Sequence, residues 1–317
     1  MIVSPFQKQM EAEHLNFDCL ALENRCLQIL DTHGHILFLL DRTLNESIFD
    51  DLLPKIEKKN IAYIPLALKK DMQVSNLLFI KIEAKDKFNL IKDNLIQLLL
   101  KNHEIENDSY FVHGFGVGKS DIELDELVES IKKKLVIVDQ DKKILFRWYD
   151  PRVLIYLPEI IKKEYVLGLL RDFKEWHFLH PKGFFSFDAT LDVVSILTLR
   201  QVNDEQSIDL DLIEIANSVF QQLNEFEQIE MAEINPIDIH QSLKYAYQEY
   251  GIQNYLDLVT YGLYSQIVHK DFIQHSIVTD VLYEHCVVGE MTFTDAMDYV
   301  SKDLYEQIGK ELNGYEI

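Results

Sequence analysis

The stretch KILFRWYDPRVLIYL, Lys143 to Leu157, holds strand, turn and helix signals within fifteen residues, and the reading of the chain works outward from it. From Lys143 to Tyr149 the side chains alternate, with Ile144, Phe146 and Trp148 to one side and Leu145, Arg147 and Tyr149 to the other. That period of two predicts a strand with one dry face. Asp150 offers a carboxylate to the free N–H groups of a following helix, and Pro151 suits the first helical position, where no N–H is needed. The strand is therefore expected to turn sharply into a helix at Asp150. Val153, Leu154 and Leu157 form the buried side of that helix, and Pro158 ends or kinks it one turn later.

Upstream, strands are expected at His35–Leu40, Ile61–Leu66, Leu77–Ile82 and Tyr110–Val117, helical segments at Asp50–Lys59 and Lys87–Lys101, and a helix or a helix with a strand edge over 16–30. Ser120 with Glu123 three residues on reads as a capping box opening a helix through Ile131. Leu135–Val138, a polar turn and the central strand make a hairpin. Gly183–Phe187 and Val193–Leu199 are read as late strands. The fold class expected is an α/β (α+β) lobe with a mixed sheet over 1–200, followed by an all-helical domain over 207–317. Gln201–Gln206 is the joint between them.

Beyond residue 205 apolar positions recur every three or four residues. Ile208, Leu212, Ile215, Val219, Leu223 and Phe226 mark a first long helix, with Asp209 and Asp211 placed in its first turn. Asn235-Pro236 starts a second that ends at Gly251. Leu256–Ile267, Ile277–Val288 and Ala296–Ile308 mark three more.

The chain has 317 residues, 47% of them apolar, enough to fill ordinary cores. Cys19, Cys26 and Cys286 are scattered without a CxxC pair, which argues against a disulfide framework or a zinc site and for a reducing compartment. The opening residues MIVSPFQKQMEAEH lack the basic start and apolar centre of a signal peptide, so a cytoplasmic location is expected. Net charge is −22 and unevenly spread. Residues 201–317 hold four lysines, no arginine and 22 acidic residues, a net of −18, against −4 for residues 1–200. Such a field repels phosphate backbones and anionic membranes and favours basic protein partners. Asp209, Asp211, Glu214, Glu225, Glu227 and Glu230 are the candidate acidic surface, with a plain solubilising face as the competing reading.

Motifs for chemistry fail on spacing. In HGFGVGKS, His113 to Ser120, a phosphate-binding loop needs a glycine where His113 stands, so a structural turn with glycines at positive φ is expected. His177 and His180 beside Glu175 lack a third zinc ligand, and no GxSxG is present. Neither a catalytic residue, a metal site nor a cofactor is assigned. Arg147 is read either as partly buried and held by a carboxylate, or, through Arg152, Trp148 and Tyr149, as part of a partner-facing patch.

The string FRWYDPRVL resembles the signature of the cytoplasmic effector chaperones, or adaptors, of the bacterial type VI secretion system. Members carry an Arg-aromatic-aromatic-Asp-Pro-Arg stretch just after a helix ending in a short hairpin. The residues in question are Arg147, Trp148, Tyr149, Asp150, Pro151 and Arg152. The resemblance implies a carrier without enzymatic activity or cofactor that binds a cognate secreted effector and hands it to the spike protein of the secretion tube. Two competing readings stay open. One is an acidic inhibitor that mimics nucleic acid, and the other an enzyme with a site near His177 and His180.

Overall fold

The computed structural model describes residues 18–42, 47–65, 77–104, 110–119, 122–188, 196–226, 229–231 and 233–314. Two compact units divide the chain, one running through Ser207 and the other starting at Ile208.

The first unit runs through α1 (Cys19–His33), β1 (Ile36–Asp41), α2 (Ser47–Leu52), β2 (Ile61–Tyr63), β3 (Leu77–Ile82), α3 (Lys85–Asn89), α4 (Lys92–Lys101), β4 (Val112–Gly118) and α5 (Leu124–Lys134). A hairpin of β5 (Val136–Asp139) and β6 (Lys142–Leu145) follows, then α6 (Pro151–Leu154), α7 (Leu157–Ile160), α8 (Lys163–Leu170), β7 (Phe173–His180) and β8 (Gly183–Asp188). Six strands form one sheet in the order β2-β3-β1-β4-β7-β8. Every pairing in it is antiparallel, which corrects the expected mixed sheet. Alternating strands and helices suggest parallel crossovers, but here the intervening helices lead the chain into each neighbour running the other way.

Both faces of the sheet are dry. On one, Ile36, Phe38 and Leu40 of β1 and Ile80 of β3 join Leu22 and Cys26 of α1 and Leu95 and Leu99 of α4 in a single core. On the other, Phe79, Phe173 and Trp176 cluster, the last two with ring centroids 4.4 Å apart. Two covered faces explain why β1 reads as an unbroken apolar run.

The glycines of HGFGVGKS lie inside β4 and none of Gly114, Gly116 and Gly118 has a positive φ, so the expected turn is corrected to a strand. Their role is close approach. A Cβ on Gly116 would run into the Glu175 carbonyl of β7, and one on Gly114 would meet the His177 carbonyl and the Trp176 ring. Ser120 of the expected capping box lies outside the described residues, and Glu123 sits at the N-cap without a side-chain cap bond.

The central strand is shorter than the alternation suggests. β6 ends at Leu145, and the Asp150 N–H donates to the Arg147 carbonyl at 3.0 Å to close a turn. Arg147 and Tyr149 therefore do not share a face, since Arg147 is exposed and Tyr149 buried. The β5–β6 turn places Gln140 and Asp141 at φ 43° and 63°, the two positive values of a type I′ hairpin. Ile196–Arg200 form no strand, and Val193–Ser195 lie outside the described residues. Instead the Leu197 N–H donates to the Glu164 carbonyl, the Val138 N–H to the Arg200 carbonyl, and Val138 and Gln201 make one isolated bridge.

α9 (Asp204–Leu223) begins before the division and continues into the second unit. Asp204 and Glu205 occupy its first turn, so Asp209 and Asp211 stand one turn further in than the periodicity indicated. After it come α10 (Pro236–Glu249), α11 (Tyr255–Ile267), α12 (Ser276–Leu282), a π turn (Tyr283–Val288), α13 (Phe293–Met297) and α14 (Lys302–Leu312). Among the described residues this unit has no strand, as its 3.6-residue period predicts. Asn235 caps α10 with Pro236 at its start, and Gly251 past its end has φ 65°. Gly262 lets α11 close on Val219 and Leu243, where a Cβ would collide. The last expected helix is broken in two because Ser301 caps α14 by accepting from the Leu304 N–H.

Candidate functional site: the Asp150 bend

The bend from Phe146 to Arg152 seats its Asp150 carboxylate inside the first unit, 2% exposed. Asp150 Oδ1 accepts from the Arg152 backbone N–H at 3.0 Å, the N-cap bond of α6, and from Arg152 Nε at 3.1 Å. Its Oδ2 accepts from Arg152 Nη2 at 2.9 Å and Arg147 Nη2 at 3.0 Å. Four donors on one carboxylate leave it nothing to do as a base or a ligand. Burial pushes the Asp150 carboxyl up, but Arg152, then His113 and Arg147, outweigh it and hold the group well below the usual carboxylate range.

The sheet supplies the rest of the surroundings. Arg152 lies over the Tyr110 ring at 4.5 Å. The His113 ring meets Tyr149 edge-on at 4.9 Å and stands 3.6 Å from the Asp41 carboxylate, and neither ring nitrogen has a hydrogen-bond partner among the described residues. His180 of β7 is within electrostatic reach of Asp150 and Arg152, and burial pulls its pKa down to about 3. Its Nδ1 accepts from the Lys182 N–H, so the neutral ring carries its proton on Nε2. Burial likewise pushes the Tyr149 hydroxyl up to about 12.

Of the six signature residues, Trp148, Tyr149, Asp150 and Pro151 are buried, and the two aromatic rings cannot reach a partner from these positions. Arg147 is 45% and Arg152 27% exposed, so the outward part of the motif is guanidinium alone. The reading of Arg147 as held by a carboxylate agrees with its bond to Asp150, while its exposure exceeds the partly buried state expected.

The acidic set is also sorted by the fold. Asp209 is buried, paired with Lys244 Nζ at 2.9 Å, and its backbone carbonyl is 2.7 Å from His240 Nε2, so it clamps α9 to α10 and is no surface residue. Burial lowers the pKa of His240 there. Asp211 and Glu214 are exposed three residues apart on α9, whereas Glu225 and Glu230 are exposed beyond its end. Glu227 lies outside the described residues.

His177 and His180 do not form one site. Three residues apart on β7, they point to opposite faces of the sheet. His177 has its own cluster, with Nδ1 2.6 Å from Ser186 Oγ, Nε2 3.4 Å from Glu175 Oε2, and Arg25 Nη2 3.4 Å from that same carboxylate oxygen. A serine, a histidine and a glutamate in series have the order of a nucleophile relay. Ser186 is only 5% exposed and the His177 ring is stacked on Phe184 at 5.4 Å, so no acyl group reaches the hydroxyl in this arrangement. Burial raises the Glu175 pKa, and His177, Arg25 and His33 bring it to a net lowering. Among the described residues no group of three or more His, Cys, Asp or Glu is arranged to hold a metal ion.

One buried pair joins α5 to the turn before β7. Lys134 Nζ reaches Asp172 Oδ2 at 2.6 Å and the Leu169 carbonyl at 2.7 Å, and burial, working against Asp172, lowers its pKa to about 8. Neither this pair nor the roles of His113, Tyr110 and His180 carried a signal in the sequence, because each depends on partners distant along the chain. No family model, curated protein or solved structure matches the chain. Among the described residues no helix is long and apolar enough to cross a membrane.

Proposed function

We propose that this protein is a cytoplasmic effector chaperone of the type VI secretion class, binding a secreted effector protein and delivering it to the spike. The observation that carries the reading is the string FRWYDPRVL, which folds into a bend whose Asp150 gathers Arg147 and Arg152 beside an antiparallel sheet. A saturated carboxylate and buried rings suit a framework that orients surface arginines, and they suit turnover of a small molecule poorly. The exposed Arg147 edge is the part of the motif available to a carboxylate or carbonyl of a partner. The acidity of the helical unit supports a protein partner carrying basic segments, and disfavours nucleic acid and anionic membrane.

Co-expression with the products of neighbouring genes, followed by purification, tests the reading. A stoichiometric complex with a large protein that is insoluble alone is expected, and Arg147→Glu is expected to lower its yield without unfolding the chain. Recovery of the chain alone, or binding to many basic proteins that vanishes with moderate salt, would replace the reading with an electrostatic inhibitor.

A further inference from the structure

The second unit carries an apolar surface with no covering element among the described residues. The wide π turn leaves Tyr283, Val287 and Val288 exposed by 64%, 69% and 66%. In such a turn side chains four and five residues apart stack on one side, so these three share a face. The chain then reverses at Glu290, φ 58°, where the Met291 N–H donates to the His285 carbonyl at 2.9 Å. Met291 goes on to line a hollow of about 350 Å³ with Asp295, Asp298 and Tyr299. Tyr299, 55% exposed, is held there by stacking on His285 at 3.8 Å.

The electrostatics of this stretch are one-sided. From Asp271 to Ser301 the sequence has six acidic residues and neither lysine nor arginine. Among the described residues no ion pair engages the carboxylates of Glu284, Glu290, Asp295 or Asp298. Exposed valines and tyrosines beside unpaired carboxylates call for an occupant with an apolar stripe and flanking cations. A second copy of this acidic surface brings like charge against like, and an anionic bilayer does the same.

We propose that the π turn and the adjoining Met291–Tyr299 hollow dock a basic amphipathic helix of a partner protein. Its apolar face covers Tyr283, Val287 and Val288, and one lysine or arginine enters the hollow between Asp295 and Asp298, with its charge beside the Tyr299 ring. The proposal rests on the chaperone reading only for the origin of that helix, which is then a segment of the cargo.

The probe is a synthetic peptide with leucines at i, i+3, i+4 and i+7 spacing and lysines elsewhere, compared with a permuted peptide of the same composition. Binding to the full chain is measured by fluorescence anisotropy at low and high salt. The amphipathic peptide is expected to bind and the permuted one to bind weakly. Val287→Ser combined with Val288→Ser is expected to weaken binding about tenfold at both salts. Asp295→Asn combined with Asp298→Asn is expected to weaken it several-fold at low salt only. All four positions outside the core leave the circular dichroism spectrum unchanged. Equal binding of the two peptides, or no loss in either variant, overturns the proposal. So does self-association of the wild-type chain that the valine variant abolishes, which assigns the surface to a second copy. Effector capture separates this from the broader reading. If wild type and both variants capture an effector alike, the chaperone reading stands and this surface is excluded. If the peptide binds the surface and no effector is captured, the surface stands without it.

Discussion

Asp150 organises the bend at the scale of a single residue, and its neighbours define what each substitution does. Replacing it by alanine removes the α6 cap and the charge-assisted bonds of two partly solvated guanidinium groups, a change expected to cost about 2–4 kcal/mol by urea unfolding. Asn at this position keeps the cap bond and loses only the charge, so it costs less. Arg152→Ala is expected to cost more than Arg147→Ala, because Arg152 makes the bidentate contact and covers Tyr110. Arg147, with its side chain nearly half exposed, is worth below about 1 kcal/mol. A reversed order would mean that the bend is held by Arg147. His180 adds a pH dependence. The folded ring takes a proton only near pH 3, while the unfolded ring takes one near 6.5, so acid favours the unfolded chain across that window. The contribution is complete above pH 6.5, is of the order of a few kcal/mol, and is lost as pH falls toward 3. His180→Leu should therefore flatten the drop in melting temperature between pH 6.5 and 4.5, and an unchanged slope would show that other groups set it.

Strand β4 shows at the scale of an element how a motif can mislead and still inform. Its glycines occur in a spacing close to a phosphate loop, yet the work of Gly114 and Gly116 is to let β7 lie against β4. Gly116→Ala places a methyl group against the Glu175 carbonyl, a backbone atom that cannot rotate away. The expected loss is about 3 kcal/mol or more, with β7 and β8 losing amide protection first in hydrogen exchange. Wild-type protection there in the alanine variant would contradict the close-approach account. Elements marked by a local device were legible in the sequence. Asp150-Pro151 and Asn235-Pro236 fixed two helix starts, and the apolar run Leu77–Ile82 gave its strand at both ends. β7 was missed because burial on both faces removes the alternation that signals a strand, and α8 because its run Val166–Leu170 is buried on every side and shows no polar stripe. The central strand was overextended for a related reason. Trp148 and Tyr149 are aromatic and buried, as strand residues are, but their burial comes from a turn. The site itself was half legible: the Asp150 cap follows from its own neighbours in sequence, whereas His113, Tyr110 and His180 reach it only through the pairing of the sheet.

Charge is the property that belongs to the whole molecule, and the fold distributes its consequences unequally. The unit beginning at Ile208 takes nearly all of the −18 carried by residues 201–317, and the ion pairs described within it include the clamp of Asp209 with Lys244 and the contact of His275 with Glu311. Most of its carboxylates repel one another through solvent, a cost that salt screens within about 10 Å at 0.1 M. In the first unit the Lys134–Asp172 pair is buried, and the Asp150 carboxylate is buried beneath its partly exposed arginines, so screening affects these charges less. Raising salt from 20 to about 200 mM is therefore expected to increase amide protection across α10, α11 and α14 while leaving β1, β4 and β7 nearly unchanged. The same screening weakens attraction to a basic partner, so the salt that firms the helical unit should slow its association. Hydrogen exchange at the two salt concentrations reads both units in one sample. Equal gains in the two would mean that the acidic excess is already neutralised within the fold, and the case for a cationic partner would lose its electrostatic half.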